Sequence, residues 1–195
     1  MARPREFDED IVLDAAMQRF WNNGFEATSM RDLADRTGMT TASLYNAFGD
    51  KRAIYRLVLD RYVRQTLETC STIFASDDPP LQALERFFDA TVEEVLADSL
   101  HKGCFVVNTA LEVASHHEDF REVVTQVFDE IEKCVRDCVA AGQRDGSILM
   151  SQPPADIARL ALSIILGLRV LARTNPDREL LTGIVRPFFV LLRTQ

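Results

Sequence analysis

Histidine is scarce in this chain, with three in 195 residues, and there is a single tryptophan. With only His101, His116 and His117 to draw on, no nucleophile, base and orienting group can be assembled, so an enzyme is not expected. No H-x3-H or C-x2-C element holds two metal ligands together, and nothing points to a resident metal or cofactor. Long apolar runs are missing as well. The longest uncharged one, Leu160 to Leu168, lies between Arg159 and Arg169 and is too short to cross a bilayer, which argues against a membrane protein. The opening MARPREFDED lacks the apolar core of a secretory signal, so a cytoplasmic protein is expected. Four cysteines in that setting are expected to be free thiols rather than a disulfide framework. Strand-like alternation between hairpin turns, internal repeats and low-complexity stretches are all absent.

What is present is an ordinary packed composition, 47% hydrophobic and 27% charged, which excludes a disordered chain. The net charge of -8 is distributed unevenly. Residues 1–64 carry 10 basic and 10 acidic side chains, so the whole deficit falls on residues 65–195 and the two parts are expected to do different jobs. A neutral N-terminal part with arginines at Arg3 and Arg5, and cations at Lys51, Arg52 and Arg56, can still present a local basic face.

Helical periodicity predicts an all-α protein. Asp8 caps a first helix that runs to Asn23, with Phe7 and Val12 placed to form a hydrophobic staple. Ser29 and Asp32 form a capping box for a second helix, MRDLADRT, closed by Gly38. Thr40 caps a third, ending by Gly49, and Asp50 a long fourth from Lys51 to about Ser76. After the break at Asp77-Asp78-Pro79-Pro80, helices follow at Leu81 to Ala97, Cys104 to Ser115, Phe120 to Ala141, Pro154 to Arg173 and Asp177 to Leu192, with Gly142 among the expected stops.

The third helix, within GMTTASLYNAFGDK, carries few core residues. Met39, Leu44 and Phe48 point inward, leaving a polar outer face. Two short helices joined around Gly38, with the first helix as third wall, make a helix-turn-helix candidate. In such a unit the second helix enters the major groove of double-stranded DNA, which requires small polar side chains there; Thr41, Ala42 and Asn46 suit it. Thr28, Tyr45 and Lys51 are spaced to meet phosphates. A packing module without DNA function remains the alternative, as does an α-helical small-molecule carrier.

The run IVLDAAMQRFWNNGFEATSMRDLADRTGMTTASLYNAFGDK resembles the N-terminal domain of the TetR family of bacterial regulators. The resemblance implies a helix-turn-helix domain over 1–50, an effector-binding and dimerisation domain over 51–195 connected through helix 51–76, and a homodimer on an operator. By position, Thr28, Thr40, Tyr45 and Lys51 would hold phosphates, while Thr41, Ala42 and Asn46 approach bases. Ala47 departs from the family, which often has a histidine or tyrosine phosphate contact there. Trp21 reads as core or as a buttress for the first helix.

Gly103, Cys104, Asn108 and Glu112 resemble a G-C-x-x-x-N-x-x-x-E pattern in a subset of the same family, whose members respond to electrophiles or other small ligands, and some to metal. Cys104, Asn108 and Glu112 are four apart, on one helical stripe, and are the candidate contacts to a small-molecule effector. Cys104 at a helix start after Lys102 is a candidate reactive thiol; a small core residue is the other reading. Cys134 and Cys138 read as core or, less simply, a chelate. The last two helices carry more apolar surface than one core needs, including Ile164 and Phe188, and the homodimer is expected to form through residues near 154–173 and 177–192.

Overall fold

The computed structural model describes residues 7–193, and among them there are nine helices and no strand. They are α1 (Glu9–Asn23), α2 (Met30–Thr37), α3 (Thr41–Phe48), α4 (Lys51–Phe74), α5 (Pro80–Ala97), α6 (Phe105–Glu112), α7 (Glu118–Asp145), α8 (Pro154–Leu171) and α9 (Arg178–Leu192). The expected clustering of Arg3 and Arg5 lies outside the described residues.

The starts of the first four helices follow from side-chain caps. Asp8 Oδ1 accepts from the amides of Asp10 and Ile11 at 2.9 and 3.3 Å, and Ser29 and Asp32 form the reciprocal box, each satisfying amides that a helix start leaves without partners. Thr40 and Asp50 cap α3 and α4 in the same way. Phe7 turns its ring to Phe48 of α3, 5.7 Å between centroids, and so ties the chain ahead of α1 to the third helix.

Two boundaries differ from expectation by more than two residues. Helix α7 runs past Gly142 to Asp145, because Gly142 is there for contact rather than for a stop: a Cβ on it would lie 2.6 Å from Ile148 Cδ1. The stop is Gly146, in the left-handed region at φ 82. Helix α6 is shorter than expected, ending at Glu112.

Helices α1, α2 and α3 close around Phe20, Leu33 and Leu44, none more than 1% exposed. Long α4 leaves this unit and packs along α1, α5, α6 and α7; α7 lies against α8, and α9 covers α5 and α8. An aromatic cluster joins the two parts. Tyr55 of α4 packs edge-on to Phe20, Phe25 and Phe120 at 4.9, 4.9 and 5.3 Å, and its hydroxyl shares a 2.8 Å hydrogen bond with Thr109 of α6. Burial pushes the Tyr55 phenol up to about 12. Each fully buried phenylalanine here stabilises the fold by roughly 1.5–3 kcal/mol.

Candidate functional site

Helix α2 ends at Gly38, whose φ of 72 and ψ of 9 turn the chain through the left-handed region that costs glycine least. Thr40 follows, and its Oγ1 accepts from the Ser43 amide at 3.1 Å while meeting Ser43 Oγ at 2.8 Å. That turn sets α3 with Leu44 and Phe48 inward and Ala42, Ser43, Tyr45 and Asn46 outward, Thr41 lying half-buried at the edge. Tyr45 is 51% exposed, large for an aromatic ring with no packing duty. The result is a short, uncharged, polar ridge.

The structure brings Thr40, Thr41, Ala42, Tyr45 and Asn46 together on this ridge, and treats the other expected contacts differently. Thr28 is 1% exposed and its hydroxyl donates to the Gly24 carbonyl at 2.8 Å, so its side chain is buried and not part of the ridge. Lys51 stands at the start of α4, but its Nζ donates to the Phe25 carbonyl at 2.9 Å and lies 4.2 Å from the centre of the Phe25 ring. The basic face expected from Lys51, Arg52 and Arg56 is not shared, because Arg52 pairs with Asp119 at 2.6 Å and Arg56 with Asp60 at 2.9 Å. Exposed Arg31 and Arg36 on α2, not anticipated, take part in no ion pair among the described residues. Their signal in sequence was weak, since Asp35 and Asp32 stand four residues away from them.

Behind the aromatic cluster lies a cavity of about 490 Å3. Its wall is mainly apolar, with Phe87, Val107, Phe128, Ile131, Ile165 and Leu166 among its residues, while Gln65, Thr69 and Glu94 stand at its exposed side. Met17 and Trp21 of α1 also belong to it. At one end Tyr62, Cys104 and Arg169 meet: the Tyr62 hydroxyl donates to Cys104 Sγ at 3.6 Å, and Arg169 holds Glu94 through two bonds of 3.0 and 2.9 Å. Burial, and Cys104 beside it, push the Tyr62 phenol well up, so the hydroxyl keeps its proton. A second cavity, about 280 Å3, shares Trp21, Glu94 and Arg169 with the first.

Of the three expected effector contacts, only Cys104 lines either of these two cavities. Asn108 is a brace: its Nδ2 donates to the Lys102 carbonyl at 2.8 Å and its Oδ1 accepts from Arg173 at 3.1 Å, which pins the loop before α6. Glu112 is exposed and lies over Gly24 at the end of α1, because α6 rotates its last turn toward the N-terminal unit. Lys102 does not attend the thiol. Its ammonium donates to Gln18 at 3.0 Å and sits 4.6 Å from the Trp21 ring centre. Trp21 is a buttress, with Nε1 donating to the Gly103 carbonyl at 2.8 Å and edge contacts to Tyr62 and Phe105. Cys134 and Cys138 are half-buried, and burial raises the Cys138 thiol to about 11 while Sγ contacts the Pro80 carbonyl at 3.1 Å. Among the described residues no three His, Cys, Asp or Glu side chains gather for a metal, and no helix is long and apolar enough to span a membrane.

Helices α8 and α9 each leave one stripe outside. Leu160, Ser163, Gly167 and Leu171 mark the first; Leu180, Gly183, Pro187 and Leu191 the second, Leu191 being 63% exposed. A Cβ on Gly167 or Gly183 would meet nothing within 4 Å, so both helices can be approached closely there. Phe188 does not belong to the outer surface. It packs on Phe88 at 5.1 Å and Phe189 at 5.3 Å inside the subunit.

Comparison with known proteins places this geometry. Residues 12–58 match the family described as bacterial regulatory proteins, tetR family, and residues 80–188 the tetracyclin repressor-like C-terminal domain. The chain is 31% identical over 186 residues to the HTH-type transcriptional repressor ComR of Escherichia coli K12, covering 93% of this chain and 87% of that protein. It is 28% identical over 138 residues to the repressor BdcR of the same organism, covering 71% and 68%. A cysteine-substituted form of the TetR family regulator CifR, solved with a 26 bp double-stranded operator, superposes with a TM-score of 0.83 at 28% identity over 96% of this chain and 98% of that one.

Proposed function

Because the chain belongs to the TetR family of bacterial transcriptional regulators, we propose that it is a repressor that binds a palindromic operator as a homodimer and leaves it when a small molecule fills the larger cavity. Residues 1–50 form the DNA-reading unit and 51–195 the effector and dimer unit. Thr41, Ala42 and Asn46 approach base edges; Thr40, Tyr45 and Lys51 hold phosphates, the last through the ammonium hydrogens that Phe25 leaves free, and Arg31 and Arg36 add charge beside them. The stripes on α8 and α9 meet their copies across the two-fold axis, with Gly167 and Gly183 at the closest approach.

The observation that carries the reading is that Met17 and Trp21, on the helix that supports the DNA-reading unit, are also cavity wall. Ligand and DNA therefore act on one structural element, and a ligand that fits one setting of α1 better than the other shifts the balance between them. The cheapest test is a mobility shift with the DNA upstream of its own gene against a random duplex of the same length. A specific site should bind at least about a thousandfold tighter than random sequence at physiological salt. Equal affinity for both would leave the ridge on α3 without a reading function.

A second reading has an observation of its own: Cys104, alone of the G-C-x-x-x-N-x-x-x-E residues, opens on the cavity, so an electrophile arriving there could signal by attachment instead of reversible binding. Treating wild type and Cys104→Ser with an electrophile separates the two. Release of operator in the wild type alone, with the adduct mapped to Cys104, supports attachment; release in both excludes it.

A further inference from the structure

Arg169 is the anomaly of the larger cavity. Its side chain is 11% exposed in a wall that is otherwise mostly apolar, whereas the carboxylate partner, Glu94, has a side chain 54% exposed. A guanidinium so placed must keep an anion or strong acceptor beside it, since an unpaired buried charge is strongly unfavourable. Glu94 is under no such constraint. It stands at the exposed side of the cavity and can return to water at little cost, so the pair is asymmetric: the cation is built in and the anion is replaceable.

The neighbouring donor is similarly placed. The Tyr62 hydroxyl, buried and protonated, spends its hydrogen on the Cys104 sulfur at 3.6 Å, a weak acceptor that a carboxylate oxygen would outcompete. Arg169 and Tyr62 thus offer two converging donors at one end of an apolar chamber of about 490 Å3, a size within the range of small-molecule pockets.

We propose that the effector is a small, largely apolar carboxylic acid, whose carboxylate displaces Glu94 from Arg169 and takes the Tyr62 hydroxyl as its second donor while the rest of the molecule fills the chamber. A neutral isostere of equal size gains the same apolar burial but leaves Arg169 to Glu94. An amine of equal size meets the guanidinium with its own charge. The inference rests on the reading of the cavity as the effector site, and selectivity for the acid is what it adds.

Trp21, the single tryptophan of the chain and part of the cavity wall, reports binding directly. The full-length protein is titrated with 4-phenylbutanoate and octanoate, and in parallel with their methyl esters and with 4-phenylbutylamine, following Trp21 emission. The acids should bind at least about tenfold tighter than the esters, a preference worth one decade in the equilibrium constant. Glu94→Gln, which removes the competing carboxylate, should widen that ratio, and Tyr62→Phe should narrow it several-fold. Arg169→Met should abolish it; if that variant does not fold, the Glu94 and Tyr62 variants decide alone. Acids and esters of equal affinity, or a ratio indifferent to Glu94→Gln, would overturn the carboxylate inference and leave the cavity standing as an effector site. Failure of every probe to bind would remove the cavity reading and the inference together.

Discussion

Trp21 and Gly103 are 82 residues apart in sequence and joined by a 2.8 Å hydrogen bond from the indole N–H to the glycine carbonyl. The bond connects α1 to the loop immediately before α6, the same loop that Asn108 and Asp98 hold from the other side, Asp98 by accepting from the Gly103 amide at 2.7 Å. The loop before α6 is therefore tied to α1 through a polar contact as well as through packing.

Trp21→Phe removes the donor and keeps most of the ring. It should lower stability by about 1 kcal/mol, the net worth of one hydrogen bond, as read by denaturant unfolding. Operator affinity without ligand should hold within a few-fold while the ligand-induced loss of affinity shrinks. An unchanged response to ligand would show that Trp21 holds the fold but carries no signal.

On the DNA side, Arg36→Ala should weaken binding to every sequence alike and reduce the slope of log affinity against log salt by about 1, because a phosphate contact releases a counterion without reading a base. Asn46→Ala should instead redistribute preference among operator variants, with about 1–3 kcal/mol lost at one base position. A salt slope that Arg36→Ala leaves unchanged would place α2 off the backbone.

Association is tested on the outward stripes. Leu160→Glu or Gly183→Arg should give monomers with unchanged helix content by circular dichroism, whereas Phe188→Asp should destabilise the subunit itself, its ring being inside against Phe88. Dimers persisting in sedimentation of the first two variants would move the interface elsewhere.

Acid should loosen the second helix in a defined direction. The Ser29 hydroxyl and amide, with Arg19 adding to them, hold the Asp32 carboxyl below its ordinary value of 3.8. A depressed carboxylate stabilises the fold above its unfolded pKa and loses that contribution as pH falls through the folded one. Ser29→Ala should therefore destabilise the protein at neutral pH and do so less in strong acid, measured by denaturant unfolding.

The elements that local chemistry determines were legible before the structure. MRDLADRT begins and ends at the residues that Ser29, Asp32 and Gly38 dictate, and the outer face of α3 follows from its period. What escaped was set by neighbours distant in sequence. Gly142 looks like a stop until Ile148 is seen lying on it, and Thr28 looks available until its hydroxyl is found on Gly24. Glu112 shares a stripe with Cys104 and Asn108, yet α6 meets the cavity at its first turn only, so one helical face serves three different places. Arg169 read as the end of an apolar run; its burial against Glu94, 75 residues away, is a tertiary fact.

The wall that α1 contributes to the cavity also bears on how such proteins can be recombined. Met17 and Trp21 fall within the tetR-family match over residues 12–58 and also line the larger cavity. A chimera that borrowed residues 1–50 from a relative to redirect operator choice would import foreign residues into the wall of that cavity, so on the proposed function its effector preference would change along with its target. Grafting α3 alone, from Thr41 to Phe48, leaves Met17 and Trp21 in place and is the exchange that keeps the two properties separable.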